Sequence, residues 1–257
     1  MASEESEQRC SPYSRPGFLV AALVVAVVAV LGIVLAVSGA LRNEPGAGAT
    51  SNTSAPASPS TSPASTPTPA PSTSGNDASI CGLAGEVLTG KLNAAPAAEW
   101  EFQGTTGYPT SSTAGPGETD GEGVRYCFQH SPEGAVFAAA NAVAQGTDPN
   151  HAGPWLRYFL AEGPNRDAVL AQGAGSGDSG GARVEVAGFR LLAYDGQTAR
   201  VDMAVRGSAG NGQTVNLSMV YDLVWEGGDW KLVVTNPSAP INVAQIPDVS
   251  GYIAWEE

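Results

Sequence analysis

The groups that carry protons, electrons or metal ions are few in this chain of 257 residues, and they are poorly arranged for catalysis. Its two histidines, His130 and His151, each fall beside an expected helix boundary, where an imidazole is expected to be solvated. An apolar cavity can raise a carboxyl group into the general-base range, which makes the acids worth testing one by one. Asp202 and Asp222 alternate against the apolar set of their segments, a parity that predicts exposure. Glu99 and Glu101 flank Trp100 in a stretch without periodicity, where solvation is expected. The glycine-rich run GAGSGDSGG at residues 173–181 is not followed by a helix, so it reads as a loop and not a phosphate cradle. Nucleophile-elbow, zinc-protease, phosphate-loop and paired CxxC motifs do not occur. The expectation is therefore no catalytic residue, no metal ligand set, no cofactor and no enzymatic activity.

The cysteines carry more information. Cys81 and Cys127 are the pair in the C-terminal part of the chain, each beside an expected ordered element, and they are expected to form a disulfide. Closing that loop contributes on the order of 4 kcal/mol in the chain-entropy picture. Cys10 stands alone near the N-terminus, and no Cys or His lies at ligand spacing from any of the three.

What must position these groups is set by two changes of composition. Residues 18–37, from Phe18 to Val37, contain no charge and no polar side chain. Twenty residues of helix rise about 30 Å, the thickness of the hydrocarbon layer, and in lipid a single span has helix as its one way to satisfy the backbone. The expected division is a cytoplasmic tail over 1–17, a transmembrane helix over 18–41, a Ser/Thr/Pro-rich stalk over 42–78 and an extracytoplasmic α+β domain over 79–257. Ser38-Gly39-Ala40 leaves a cleaved signal peptide as the alternative, although the apolar run exceeds the usual length of such a core. Arg9 and Arg15 precede the span and Arg42 alone follows it closely, a bias that places the N-terminus in the cytoplasm. Prolines at 56, 59, 63, 67, 69 and 71 favour an extended, unfolded stalk, either bare or carrying O-linked sugar.

A net charge of −13, with 12 Lys and Arg scattered singly, argues against direct nucleic-acid binding, which needs a concentrated basic surface.

In the C-terminal part, residues 104–123 read as a Gly/Pro/Ser/Thr loop and 124–128 as a short apolar stretch. Ser131-Pro132-Glu133 has the form of a helix start, with Ser as N-cap, Pro in the first helical position and an acid in the first turn. That helix runs to Gly146 with an Ala-rich face suited to close approach to a sheet, and further helices are expected from Pro154 and over 164–172. Four strands follow. Val184 and Val186 share one parity while Phe189, Leu191 and Ala193 share the other, which predicts a bulge near Ala187-Gly188. Val201, Met203 and Val205 alternate with polar neighbours, and the alternation from Val215 to Trp225 is long enough to imply a bent strand. Turns at Asp195-Gly196, at 208–212 and at Gly227-Gly228-Asp229 make the pairing antiparallel, ending in a strand over 230–235. Helices on the concave face of a curved antiparallel sheet are the expected fold, α+β.

The hairpin WEGGDWKLVV is similar to the last hairpin of nuclear-transport-factor-two-like, cystatin-like cone domains. SPEGAVFAAANAV after a GP-containing loop resembles a family of uncharacterised actinobacterial single-pass membrane proteins. The resemblance spans about residues 79–257 and its build is similar to channel-assembly subunits of conjugative type IV secretion systems. It implies a membrane-anchored scaffold or assembly protein in the envelope, an accessory of conjugative transfer or secretion, with the lipid bilayer and envelope or secretion proteins as partners. It transfers no catalytic residue. The alternatives are a binding module holding a small apolar ligand among Trp100, Tyr126, Phe128, Trp155 and Phe159, and an isomerase-like enzyme on the same fold. Oligomeric state is left open.

Overall fold

A computed structural model describes residues 78–173, 183–208 and 213–256. The expected tail, the transmembrane segment with Phe18 and Val37, and the stalk up to residue 77 lie outside the described residues, as do most of the 173–181 run and of the 208–212 turn. Among the described residues no helix is long and apolar enough to cross a membrane.

The domain is α+β, with three helices packed on an antiparallel six-stranded sheet. Chain order begins with a hairpin of β1 (Glu99–Gln103) and β2 (Thr106–Thr110), then the two-residue strands β3 (Glu118–Thr119) and β4 (Arg125–Tyr126). The expected loop over 104–123 thus holds β2 and β3. The stretch around Glu99 and Glu101 is a strand in which Glu99 pairs with Thr110, Trp100 with Pro109 and Glu101 with Tyr108, a short two-sided hairpin that periodicity does not reveal.

Helix α1 (Pro132–Thr147) starts as its sequence dictates: the Ser131 hydroxyl accepts the Gly134 N–H at 3.0 Å, Pro132 needs no hydrogen bond there, and Glu133 meets the positive end of the dipole. Gly134 is obligatory in this turn, since a Cβ would stand 1.9 Å from the Gln129 carbonyl oxygen. Thirteen of the helix's sixteen residues are buried, so it is covered on every side and not only on one face. Its alanines lie against the sheet, while Asn141 and Gln145 turn to the opposite side and tie it to Pro109 and to both backbone groups of Arg125. Helix α2 (Ala152–Phe159) begins two residues before Pro154, and α3 (Arg166–Gln172) two residues after Pro164.

The sheet runs β10 (Ile253–Ala254), β5 (Arg183–Tyr194), β6 (Thr198–Ser208), β7 (Thr214–Glu226) and β8 (Asp229–Leu232), with β9 (Asn242–Ile246) sharing the β7 edge with β8. The register of β5 on β6 shifts between Val186 and Gly188, at the expected bulge, and again between Leu191 and Ala193. Phe189, Val201, Met203, Tyr221 and Leu223 then face the helices and form the core with Phe137, Trp230 and Trp255.

Asp202 departs from expectation: it is 1% exposed, not solvated. Because β9 pairs with β7 and β10 pairs with β5, residues 247–252 must cross the outer face of the sheet. This strap lies over the even-numbered side of β6. Tyr252 donates to Asp202 Oδ2 at 2.9 Å, the Ser218 hydroxyl donates to Oδ1 at 2.7 Å, and Arg190 pairs with the same carboxylate. Asp222, beyond the strap, stays half-exposed and lies 3.5 Å from Arg200. Both β9 and β10 were outside the expected element set, which ended at 235.

Candidate functional site

An open groove of about 770 Å³ lies beside the β1–β2 hairpin and the start of α1. One wall is the extended segment Pro96, Ala97, Ala98 and Glu99 leading into β1; another is the end of β2 with the tight turn after it, Thr110 to Ala114 and Pro116. Gln129, just before α1, with Glu133 and Phe137 from its first turns and Val87, completes the lining. The turn is held by reciprocal backbone hydrogen bonds between Ser111 and Gly115, at 2.9 and 3.0 Å. Gly115 has φ 104°, and a Cβ on it would stand 2.7 Å from the Cys127 carbonyl oxygen, so this turn lies directly on the segment carrying the cystine.

Cys81 and Cys127 are joined by a disulfide, with Cα atoms 5.9 Å apart. Cys127 has φ 66°, a left-handed conformation rare outside glycine, and it is over-determined by its surroundings. Its N–H donates to Asp229 Oδ2 at 2.8 Å, the Phe128 N–H donates to Oδ1 at 2.9 Å, and the Tyr158 hydroxyl donates to Oδ2 at 2.7 Å. Asp229 is wholly buried; burial pushes its carboxyl above the usual range, against the pull of these donors and of Lys231. Burial likewise draws the Lys231 ammonium down to about 8; it donates to the Tyr158 carbonyl at 2.9 Å and lies over that ring.

The histidines separate. His130 is 1% exposed, contrary to the solvated loop position expected of it. It stacks on Trp225 with centroids 4.0 Å apart, its Nδ1 lies 3.1 Å from Glu86, and its Nε2 meets the Gly196 carbonyl. The residue precedes the N-cap Ser131 and is carried inward with the helix start. His151 is partly buried, 2.7 Å from Asp148 Oδ2. Neither lines the groove.

Among the acids, Glu99 lines the groove, whereas Glu101 is tied to the Tyr108 hydroxyl at 2.7 Å. That hydroxyl's ring stacks under the buried guanidinium of Arg125, 3.7 Å from its centroid, and Arg125 in turn donates to Asn141 and Gln103. Burial lowers the Arg125 pKa, partly offset by Tyr108 and Glu101. The aromatic residues considered for an apolar ligand are spent on packing: Trp100 on Trp255 at 5.7 Å, Tyr126 on Tyr158 at 5.3 Å, Trp155 on Phe159 at 5.0 Å, with Phe128 buried. None of them lines the groove. Of the groove's residues Glu99 is one of the candidate acids of the sequence, and Glu133 is legible as the first-turn acid of the helix start; the walls from Pro96 to Ala98 and from Thr110 to Pro116 are mostly small or hydroxylated residues in an aperiodic stretch. No group of three or more metal-ligating side chains gathers among the described residues.

Fold and site together define a disulfide-tied α+β domain in which three helices, an antiparallel sheet and an N-terminal hairpin enclose one core and leave an open groove beside the cystine. A family model described as "Domain of unknown function (DUF8175)" matches residues 58–254, and the chain belongs to that family. No curated protein and no solved structure matches it.

Proposed function

We propose that this protein is a membrane-anchored extracytoplasmic scaffold or assembly protein, without enzymatic activity, whose outer domain docks envelope or secretion proteins at the groove beside its cystine. The apolar run from Phe18 to Val37 anchors it, the Ser/Thr/Pro-rich stalk displays it, and conjugative transfer or secretion is the process it serves. The finer likeness to nuclear-transport-factor-two-like cone domains belongs to this proposal; it is supported by a helical layer followed by a bulged antiparallel meander that ends in the WEGGDWKLVV hairpin.

The observation that carries the reading is the Cys81–Cys127 disulfide, which lies next to the groove. A cystine there favours an oxidising compartment, and with it a domain on the far side of the membrane. The non-enzymatic part is supported by the two buried carboxylates, Asp202 and Asp229, whose oxygens already accept hydrogen bonds from structural donors.

The test is fractionation and in-cell cross-linking of the native full-length protein. It is expected in the membrane fraction, with envelope or secretion proteins cross-linked above background. Recovery in the soluble cytosol, or background-only cross-linking combined with unimpaired transfer and secretion in a deletion strain, overturns the proposal.

A further inference from the structure

The groove offers hydrogen-bond acceptors without any cation of its own. Its lining includes no Lys, Arg or His. Glu101 and Glu86, its acidic neighbours, are engaged by Tyr108 and His130. The carboxylates of Glu99 and Glu133 make no hydrogen bond or ion pair among the described residues, and they come from two different elements, the first residue of β1 and the first turn of α1. Ser112 is exposed on the rim. Between these polar points the lining mixes the alanines and prolines Pro96, Ala97, Ala98, Ala114 and Pro116 with the hydroxyl-bearing Thr110, Ser111 and Thr113.

We infer that the groove takes an extended peptide segment of a partner protein bearing Lys or Arg side chains, whose cations pair with Glu99 and Glu133 while its apolar groups lie on Pro96, Ala97, Ala98 and Pro116. Ionised carboxylates accept hydrogen bonds and donate none, so the complementary ligand must bring donors. An apolar occupant would strip water from the carboxylates without replacing it, and an acidic one would set like charge against them, which disfavours both classes. Glu133 also acts, with Glu86 and Asp195, on the nearby Tyr194 phenol, which burial first and then these acids push up. A volume of about 770 Å³ lies within the usual range of ligand clefts, and its open form admits a chain that enters and leaves.

This inference rests on the docking reading above and names the partner's chemistry. The probe is a fluorescein-labelled hexapeptide, Ala-Arg-Ala-Pro-Arg-Ala, titrated by anisotropy against the full-length protein in nonionic detergent at low salt. Twin peptides carry Gln or Glu in place of Arg. The Arg peptide is expected to bind at least tenfold more tightly than the Gln twin, and the Glu twin not at all. At about fivefold for each partly exposed pair, the double variant Glu99→Gln/Glu133→Gln should weaken Arg-peptide binding by tenfold or more. Asp167→Asn, an exposed acid on α3, should leave it unchanged. Equal binding of the three peptides, no Arg-peptide binding at millimolar concentration, or equal losses in Asp167→Asn and the double variant overturns the inference. Failure here, with membrane location and envelope cross-links intact, removes the ligand class and leaves the scaffold reading; a cytosolic protein removes the scaffold reading and leaves the titration standing.

Discussion

Replacing Asp229 by Ala tests how much of the domain hangs on one buried carboxylate. Outside its own strand Asp229 receives three hydrogen bonds, from the N–H groups of Cys127 and Phe128 and from the Tyr158 hydroxyl. The two backbone donors are buried and have no other acceptor to turn to, so orphaning them costs about 1–3 kcal/mol each. Tyr158 is only half-buried and its hydroxyl can reach water, so it adds less. Removing a buried charge returns part of the loss, which leaves an expected destabilisation of about 3 kcal/mol. Urea unfolding of the full chain in detergent, followed by tryptophan fluorescence and far-UV circular dichroism, measures it. Tyr158→Phe removes one donor and should cost about 1 kcal/mol; Asp229→Asn keeps one acceptor and should fall between. The pH dependence has a definite sign. Because the folded-state value is raised above 3.8, the native chain keeps this proton longer than the unfolded one, so the contribution of Asp229 is greatest in acid and diminishes as pH rises above 3.8. An alanine variant within about 0.5 kcal/mol of wild type would refute the claim that this carboxylate fixes the Cys127–Phe128 segment to β8.

Lys231 gives the opposite test: its ammonium is drawn from 10.5 to about 8, so the native state releases the proton first and stability should rise from pH 8 to 10.5, by at most about 3 kcal/mol. Lys231→Met should remove that rise in unfolding midpoints measured across the window. Cys81→Ser opens a loop of sequence separation 46 and should cost about 4 kcal/mol in urea unfolding, with wild type under reductant losing the same. Gly188→Ala would bring a Cβ to 2.6 Å from the Ile253 carbonyl oxygen and 3.3 Å from Tyr252 Cβ. Since backbone cannot yield there, about 1–3 kcal/mol should be lost and limited proteolysis should cut within 247–252 before the rest of the domain.

The legible parts of the sequence were those in which a local rule and the tertiary structure agree. Ser131, Pro132 and Glu133 start α1 by interactions within one turn, and the parity change around Ala187-Gly188 marks a bulge because it alters which side chains face inward. Asp202 was misread because parity distinguishes two faces of a strand but not whether the second is covered, and the cover is supplied by a strap that is far away in sequence. The strap's strands carry no pattern of their own. β9 is exposed along most of its length and β10 has two residues, so neither shows alternation. The groove was illegible for a related reason: alanine, proline and serine in an aperiodic segment form a wall only once β1, β2 and α1 have brought them together.

The arrangement also determines how the domain bears a pull from its N-terminal side. Ile80 is hydrogen-bonded to Gly228, and the next residue, Cys81, is bonded covalently to Cys127. Force entering at residue 78 therefore passes through the cystine to Cys127, through Asp229 to β8, and so into the sheet. The intervening segment, which holds the β1–β2 hairpin and the groove walls from Val87 to Pro116, lies inside the closed loop and is bypassed. From the other end Trp255 packs on Trp100, Phe137 and Phe189, and its indole N–H donates to the Pro96 carbonyl at 3.1 Å. The C-terminus thus clamps the same wall that the cystine shields. The groove lies where covalent closure and the C-terminal clamp act together.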